Sequence, residues 1–285
     1  MNSSITIVTA FFDIGRGNWT SEKGFAPYLE RKSETYIEYF KNLSTLENEM
    51  IIFTSSDLKP EIEKIRDGKR TTVVTLDINN KFKNIKKIIS NIQESDEFKS
   101  KIEERQLRNP EYWSADYVLV CNLKSYFIKK AIDLKLVSNK MVAWVDFGYC
   151  RTPEITRGLT QWNYPFDNDK VNLFTIKRWL NPKSIDQVYD YMIKNRSFII
   201  GGAIVATQDK WLEFYNLVSR CQIKTLKQKI VDDDQGIFIM CYYLKPQLIK
   251  LNYLGKNRWL YLFKMFGKKD LNTLLLRCKV FLRGK

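Results

Sequence analysis

Three clusters in the chain have residue types and spacings that could carry chemistry. In Thr9-Ala10-Phe11-Phe12-Asp13-Ile14-Gly15-Arg16-Gly17 an apolar run ends in a glycine-bearing loop that holds a carboxylate and a guanidinium. Such a loop is either a surface turn or a pocket where strand-end backbone and Asp13 hold a base and ribose while Arg16 meets a phosphate. It has neither Gly-x-Gly-x-x-Gly nor Gly-x-x-x-x-Gly-Lys-[Ser/Thr], which tells against a dinucleotide fold or a P-loop. In Ala143-Trp144-Val145-Asp146-Phe147-Gly148-Tyr149-Cys150 a strand-like run stops on one carboxylate and one glycine. Asp146 either forms a turn or serves a ligand. Between Trp144 and Tyr149 it would sit in a low dielectric, where a carboxylate needs a cationic partner. Mg²⁺ or Mn²⁺ bridging to a diphosphate would be one, with Lys124 neutralising the same phosphates. The third cluster is Asp232-Asp233-Asp234-Gln235, with Gly201-Gly202 upstream. Three acids at a helix start cap it and complement its dipole, but one cap needs fewer, and an acid turned into a site could act as a base or anchor an acceptor hydroxyl. Paired glycines inside a strand suggest close approach by a ligand or another backbone.

The rest of the composition narrows the chemistry. There is no histidine, so zinc catalysis and Ser-His-Asp catalysis are read as excluded and any metal would be oxygen-bound. The five cysteines are scattered without a Cys-x-x-Cys pair, which points to a reducing, cytoplasmic setting. No secretory signal is expected, because the opening residues run into Ile5-Thr6-Ile7-Val8 with no long apolar stretch. No segment has the length and apolarity of a membrane span.

These residues need a scaffold to bring them together. Runs at 5–12, 50–54, 71–76, 141–146 and 198–206 read as strands. Tyr36, Tyr39, Phe40 and Leu43 are spaced as one face of a helix, as are Leu123, Phe127, Ala131 and Leu134, and Ile185, Val188, Tyr189 and Met192. Trp211, Phe214, Tyr215 and Val218, and Ile237, Met240, Cys241 and Leu244, repeat that spacing. Residues 80–105 read as a solvent-facing helix and 151–180 as a loop-rich insertion. The alternation predicts an α/β fold with a mixed, mostly parallel, Rossmann-like sheet flanked by helices. Ligands bind beyond the carboxyl ends of the strands in such sheets, where Asp146 falls.

Together, T-A-F-F-D-I-G-R-G, A-W-V-D-F-G-Y-C-R, F-I-I-G-G-A-I-V-A and D-D-D-Q resemble the bacterial HtrL/YibB-type family over roughly residues 5–255. That family is similar to nucleotide-sugar glycosyltransferases of the GT-A fold. The resemblance implies a hexosyltransferase taking a nucleotide-diphosphate sugar, with a UDP-hexose as the first guess. Its acceptor would be a glycan or lipid-linked glycan for the bacterial surface: capsule, O-antigen or lipopolysaccharide precursor. Asp146 would take the metal-binding acid's place, with Gly148 where a second acid usually stands. Thr9, Ala10, Phe11, Asp13, Arg16, Lys124, Gly201 and Gly202 would hold the donor, and Asp233, Asp234 and Gln235 would lie beneath the reacting sugars. The missing second acid and the missing histidine depart from the usual Mn²⁺ or Mg²⁺ site.

Of the net charge of +15, +10 lies in residues 245–285. The chain is therefore read as a domain over 1–255 and a basic amphipathic tail over 256–285. In the tail, Leu271, Leu274, Leu275, Cys278 and Leu282 form a stripe among Lys and Arg. That pattern suits peripheral contact with anionic lipid at the inner membrane face. A nucleic-acid partner would also use the charge but has no binding motif here, so none is expected. A catalytically degenerate nucleotide-sugar binder is the other alternative.

Overall fold

The computed structural model describes residues 4–283, so the last two residues of the expected tail lie outside the described residues. The strands are β1 Ile5–Phe11, β2 Met50–Thr54, β3 Thr71–Thr75, β4 Met141–Val145, β5 Val171–Thr175, β6 Ile199–Thr207 and β7 Ile249–Tyr253. They form one seven-stranded sheet in the order β3-β2-β1-β4-β6-β5-β7. β1 runs parallel to β2 and β4, β2 to β3, and β5 to β7. β6 alone is reversed against both its neighbours, β4 and β5. The sheet is mixed and mostly parallel, in an α/β fold.

Period-two alternation divides the strand side chains between two cores. Ile5, Ile7 and Phe11 enter one, with Met141, Ala143 and Val145, while Val8, Ala10, Val142 and Trp144 enter the other. Strands that are apolar on both faces require helices on both faces. The helices are α1 Ser33–Leu43, α2 Lys59–Ile65, α3 Ile78–Lys81, α4 Lys83–Glu94, α5 Asp96–Lys99 and α6 Ala115–Asn122. They continue with α7 Lys124–Asp133, α8 Ile185–Ile193, α9 Gln208–Lys227, α10 Asp234–Leu244, α11 Leu262–Phe266 and α12 Leu271–Arg283. α1 buries Ile37, Phe40 and Leu43 on one face of the sheet, where α11 buries Leu262, Phe263, Met265 and Phe266. On the other, α7 buries Phe127, Ile128 and Ala131, and α9 and α10 contribute Trp211, Phe214, Ile237 and Phe238.

The structure corrects several expectations. The stretch 151–180 contains β5, buried along its whole length. β7 was not expected as a strand because Lys250 interrupts it, and that side chain points to solvent on an edge strand. Residues 80–105 are broken into α3, α4, α5 and the start of a 3-10 turn rather than forming one helix, and they bury Ile89, Ile92 and Phe98. The segment after residue 255 is anchored before it reaches α12. The Tyr149 hydroxyl donates to the Trp259 carbonyl at 3.0 Å and accepts from Leu262 N at 3.1 Å. Trp162 Nε1 donates to the Phe266 carbonyl at 2.8 Å.

Candidate active site

Because β6 is reversed, its first residues lie beside the carboxyl end of β4. Val145 is opposite Ala203, and Asp146 N donates to the Gly202 carbonyl at 2.9 Å. This places the paired glycines against the Asp146 turn. The N-terminus of α10 comes to the same point. A Cβ on Gly201 would lie 1.9 Å from Asp234 Oδ2, so only a glycine leaves room for that carboxylate.

Lys124, the first residue of α7, joins the cluster. Its buried ammonium lies 3.0 Å from Asp146 Oδ1, 2.6 Å from Asp234 Oδ2 and 2.9 Å from the Gly201 carbonyl oxygen. The ammonium donates to the Gly201 carbonyl and forms ion pairs with both carboxylates. Lys124 therefore draws two carboxylates together at the edge of the sheet. Burial alone would lower its pKa, but Asp146 and Asp234 more than reverse that and keep it charged. Trp144 Nε1 also donates to Asp146 Oδ1, at 2.7 Å.

The three consecutive aspartates take three different roles. Asp232 turns into the protein against Gly236, its Oδ1 accepting from Asp233 N at 2.9 Å, and burial drives its carboxyl well above the usual range. Asp233 caps α10, accepting from Gln235 N at 2.9 Å and Gln235 Nε2 at 3.1 Å. Burial and then the charge of Glu111 push Asp233 up to about 6. Asp234 faces Lys124; burial, with Asp233 and Asp146 beside it, pushes its carboxyl up to about 7 against the pull of the ammonium. A carboxyl that titrates near neutrality is suited to accept a proton from a hydroxyl.

These groups open onto a cleft of about 1060 Å³. Ala10, Phe11, Asp13, Arg16, Lys124, Asp146, Gly148, Gly201, Gly202, Asp233, Asp234 and Gln235 all line it. Thr9 does not: it is fully buried within β1. Asp13 is exposed and engaged locally, accepting from Gly15 N at 2.8 Å and Ser33 Oγ at 2.6 Å. Sequence reasoning missed much of the wall, including Tyr28, Arg31, Tyr36, Tyr117, Arg258 and Trp259. Arg31 lies in an ordinary polar run, and Trp259 in a segment read as tail, so neither carried a local signal. Arg151, the last residue of the A-W-V-D-F-G-Y-C-R stretch, also lines the cleft.

The donor set does not fit a divalent cation. Both near oxygens of Asp146 and Asp234 already meet the Lys124 ammonium, and the place of a second acid is held by Gly148. No group of three or more acidic or cysteine side chains is placed to hold a metal among the described residues.

The family model described as "Bacterial protein of unknown function (HtrL_YibB)" matches residues 3–268. The chain belongs to the HtrL_YibB family. Protein HtrL of Escherichia coli (strain K12) is 55% identical over 285 residues, covering 100% of both chains. The cleft lies within the region matched by the HtrL_YibB model. Among solved structures, mouse xyloside xylosyltransferase 1 in its apo form is similar over 93% of this chain and 94% of that one, at 9% identity and a TM-score of 0.42.

Proposed function

We propose that the protein is a glycosyltransferase that moves a hexose from a nucleotide-diphosphate sugar, with a UDP-hexose the leading candidate, to a bacterial surface-glycan acceptor. One observation carries this reading: the reversed β6 puts Gly201 and Gly202 against the Asp146 turn while Lys124 draws in Asp234, within one cleft. The motif resemblance to GT-A enzymes would put donor and acceptor sugars around the same residues, which supports this reading. Arginines and aromatic rings in the wall suit a ligand with a diphosphate, a base and sugars. In the reaction, the acceptor oxygen bonds to the anomeric carbon, the bond from that carbon to the diphosphate oxygen breaks, and the Asp234 carboxylate takes the acceptor's proton. The nucleoside diphosphate leaves.

A panel of nucleotide-sugars tested for binding and turnover addresses this directly. One member is expected to bind and be consumed, and Asp234→Asn should lower turnover by roughly 10²- to 10⁴-fold, as expected for loss of a general base, while donor affinity changes little. Binding without turnover by the wild type would instead favour the catalytically degenerate reading. Absence of binding by every nucleotide-sugar would refute the proposal.

The acceptor is proposed to be lipid-linked, and contact with the inner membrane face to run through α12. Leu271, Leu274, Leu275, Phe281 and Leu282 are exposed on this helix, while Val280 is buried. Lys268, Lys269 and Lys279 are exposed beside them. Basic residues near an anionic surface contribute about 1 kcal/mol each. No helix among the described residues is long and apolar enough to cross a membrane, so the contact would be peripheral. The full chain is expected to float with phosphatidylglycerol-containing vesicles but not with phosphatidylcholine ones. Leu271→Glu with Leu274→Glu should release it, and flotation unaffected by that pair would rule out α12 as the contact.

A further inference from the structure

The cleft wall beyond Asp146 is cationic and its charges are unspent. Arg16, Arg31 and Arg151 all line it, and none of them takes part in an ion pair among the described residues. Like charges gathered in one place repel and are costly to hold together unless an anion joins them. The effect reaches Arg151, whose guanidinium is lowered by burial and then by Arg31 and Arg16.

The chain fixes the aim of one of these groups. Arg16 Nη1 donates to the Tyr36 hydroxyl at 2.6 Å, and Nη2 and Nε donate to the Leu29 carbonyl at 3.0 and 3.3 Å. Its guanidinium carbon lies 5.1 Å from the centre of the Trp19 ring. A guanidinium has five N–H donors, so this anchoring leaves two for a ligand.

The same contacts explain Gly148. A Cβ there would lie 2.9 Å from Tyr36 Cδ1. Where an acid would complete a metal site, the chain has removed the side chain and seated the ring that orients Arg16. The remaining acid, Asp146, is paired with Lys124 at 3.0 Å. Both positions that would bind a cation are thus committed to another arrangement.

We propose that Arg16, Arg31 and Arg151 bind the diphosphate of the ligand directly, so that binding requires no divalent cation. Planar guanidinium forks match phosphate oxygens in pairs and remain charged across the physiological range. The identity of the ligand as a nucleotide-sugar rests on the function proposed above; the diphosphate site does not.

Calorimetric titration of the full chain with UDP and with inorganic pyrophosphate, in EDTA and again in Mn²⁺, tests this. Both probes are expected to bind in EDTA, with a Kd within about twofold of that in Mn²⁺. Arg31→Ala and Arg151→Ala should each weaken binding by roughly ten- to a hundredfold, as for a lost charge-assisted hydrogen bond. Gly148→Ala, which displaces Tyr36 while leaving all three arginines in place, should weaken it too, and melting curves check that every variant is folded. Binding that disappears in EDTA and returns with Mn²⁺ would overturn the proposal, as would folded arginine variants that bind like the wild type, or failure of pyrophosphate to bind. Pyrophosphate binding in EDTA with no affinity for any nucleotide or nucleotide-sugar would uphold this site and sink the glycosyltransferase reading.

Discussion

Lys124→Met is expected to lower stability at about pH 8 by about 3–5 kcal/mol, the range for removing one partner of a buried ion pair. The methionine fills a similar volume but leaves Asp146 and Asp234 facing each other, and the Gly201 carbonyl without its donor. The loss should depend on pH with a definite sign. Asp234 has a folded pKa of about 7, above its ordinary value of 3.8. Its contribution to stability is therefore complete below about pH 4 and is lost as pH rises through about 7. Without the ammonium the folded pKa rises further, so more stability is lost on the alkaline side. Urea denaturation should show a small gap between variant and wild type near about pH 5 and the full gap near about pH 8. A gap of equal size at both would mean that Asp234 is not the group Lys124 neutralises.

Gly201→Ala should be nearly as damaging for a different reason. The new methyl carbon would lie 1.9 Å from Asp234 Oδ2 and 2.5 Å from Asp234 Cγ. Asp234 is buried and tied to Lys124, so it cannot swing away at little cost. Overpacking of this kind costs about 1–3 kcal/mol, and a displacement of about 1 Å in a reacting group costs about 10²-fold in rate. Gly202→Ala is the control, because its nearest neighbour is the Tyr149 ring at 3.0 Å. Melting temperature and turnover measured on both variants should separate them, and equal behaviour would count against the tight fit at Gly201.

The strands around the cleft were legible because each is a short apolar run bounded by polar turns. Apolar residues on both strand faces also announced helices on both sides. Three things were not legible. The reversed direction of β6 leaves no local mark, since a buried strand reads the same whichever way it runs. β5 was hidden among prolines and aromatics, and β7 is an edge strand whose Lys250 breaks the alternation. Within the site, Asp146, Gly201 and Asp234 could be named because a carboxylate or a glycine is out of place in an apolar run. The partner chosen by Lys124 could not be named, because it depends on where the first turn of α7 meets the start of β6. Asp232 and Asp234 have the same local composition yet face opposite ways, and only the turn into α10 separates them.

The bonds from the Tyr149 hydroxyl to Trp259 and Leu262 fasten the Asp146 motif to the chain that leads into α12. If α12 rests on lipid, the cleft is held at a set stand-off from the bilayer instead of hanging on a tether. Acceptors would then be sorted by how far their reactive hydroxyl reaches above the headgroups. Such a mount would work as a ruler, selecting glycan length by position, and a looser hinge at Tyr149 would then broaden the lengths accepted.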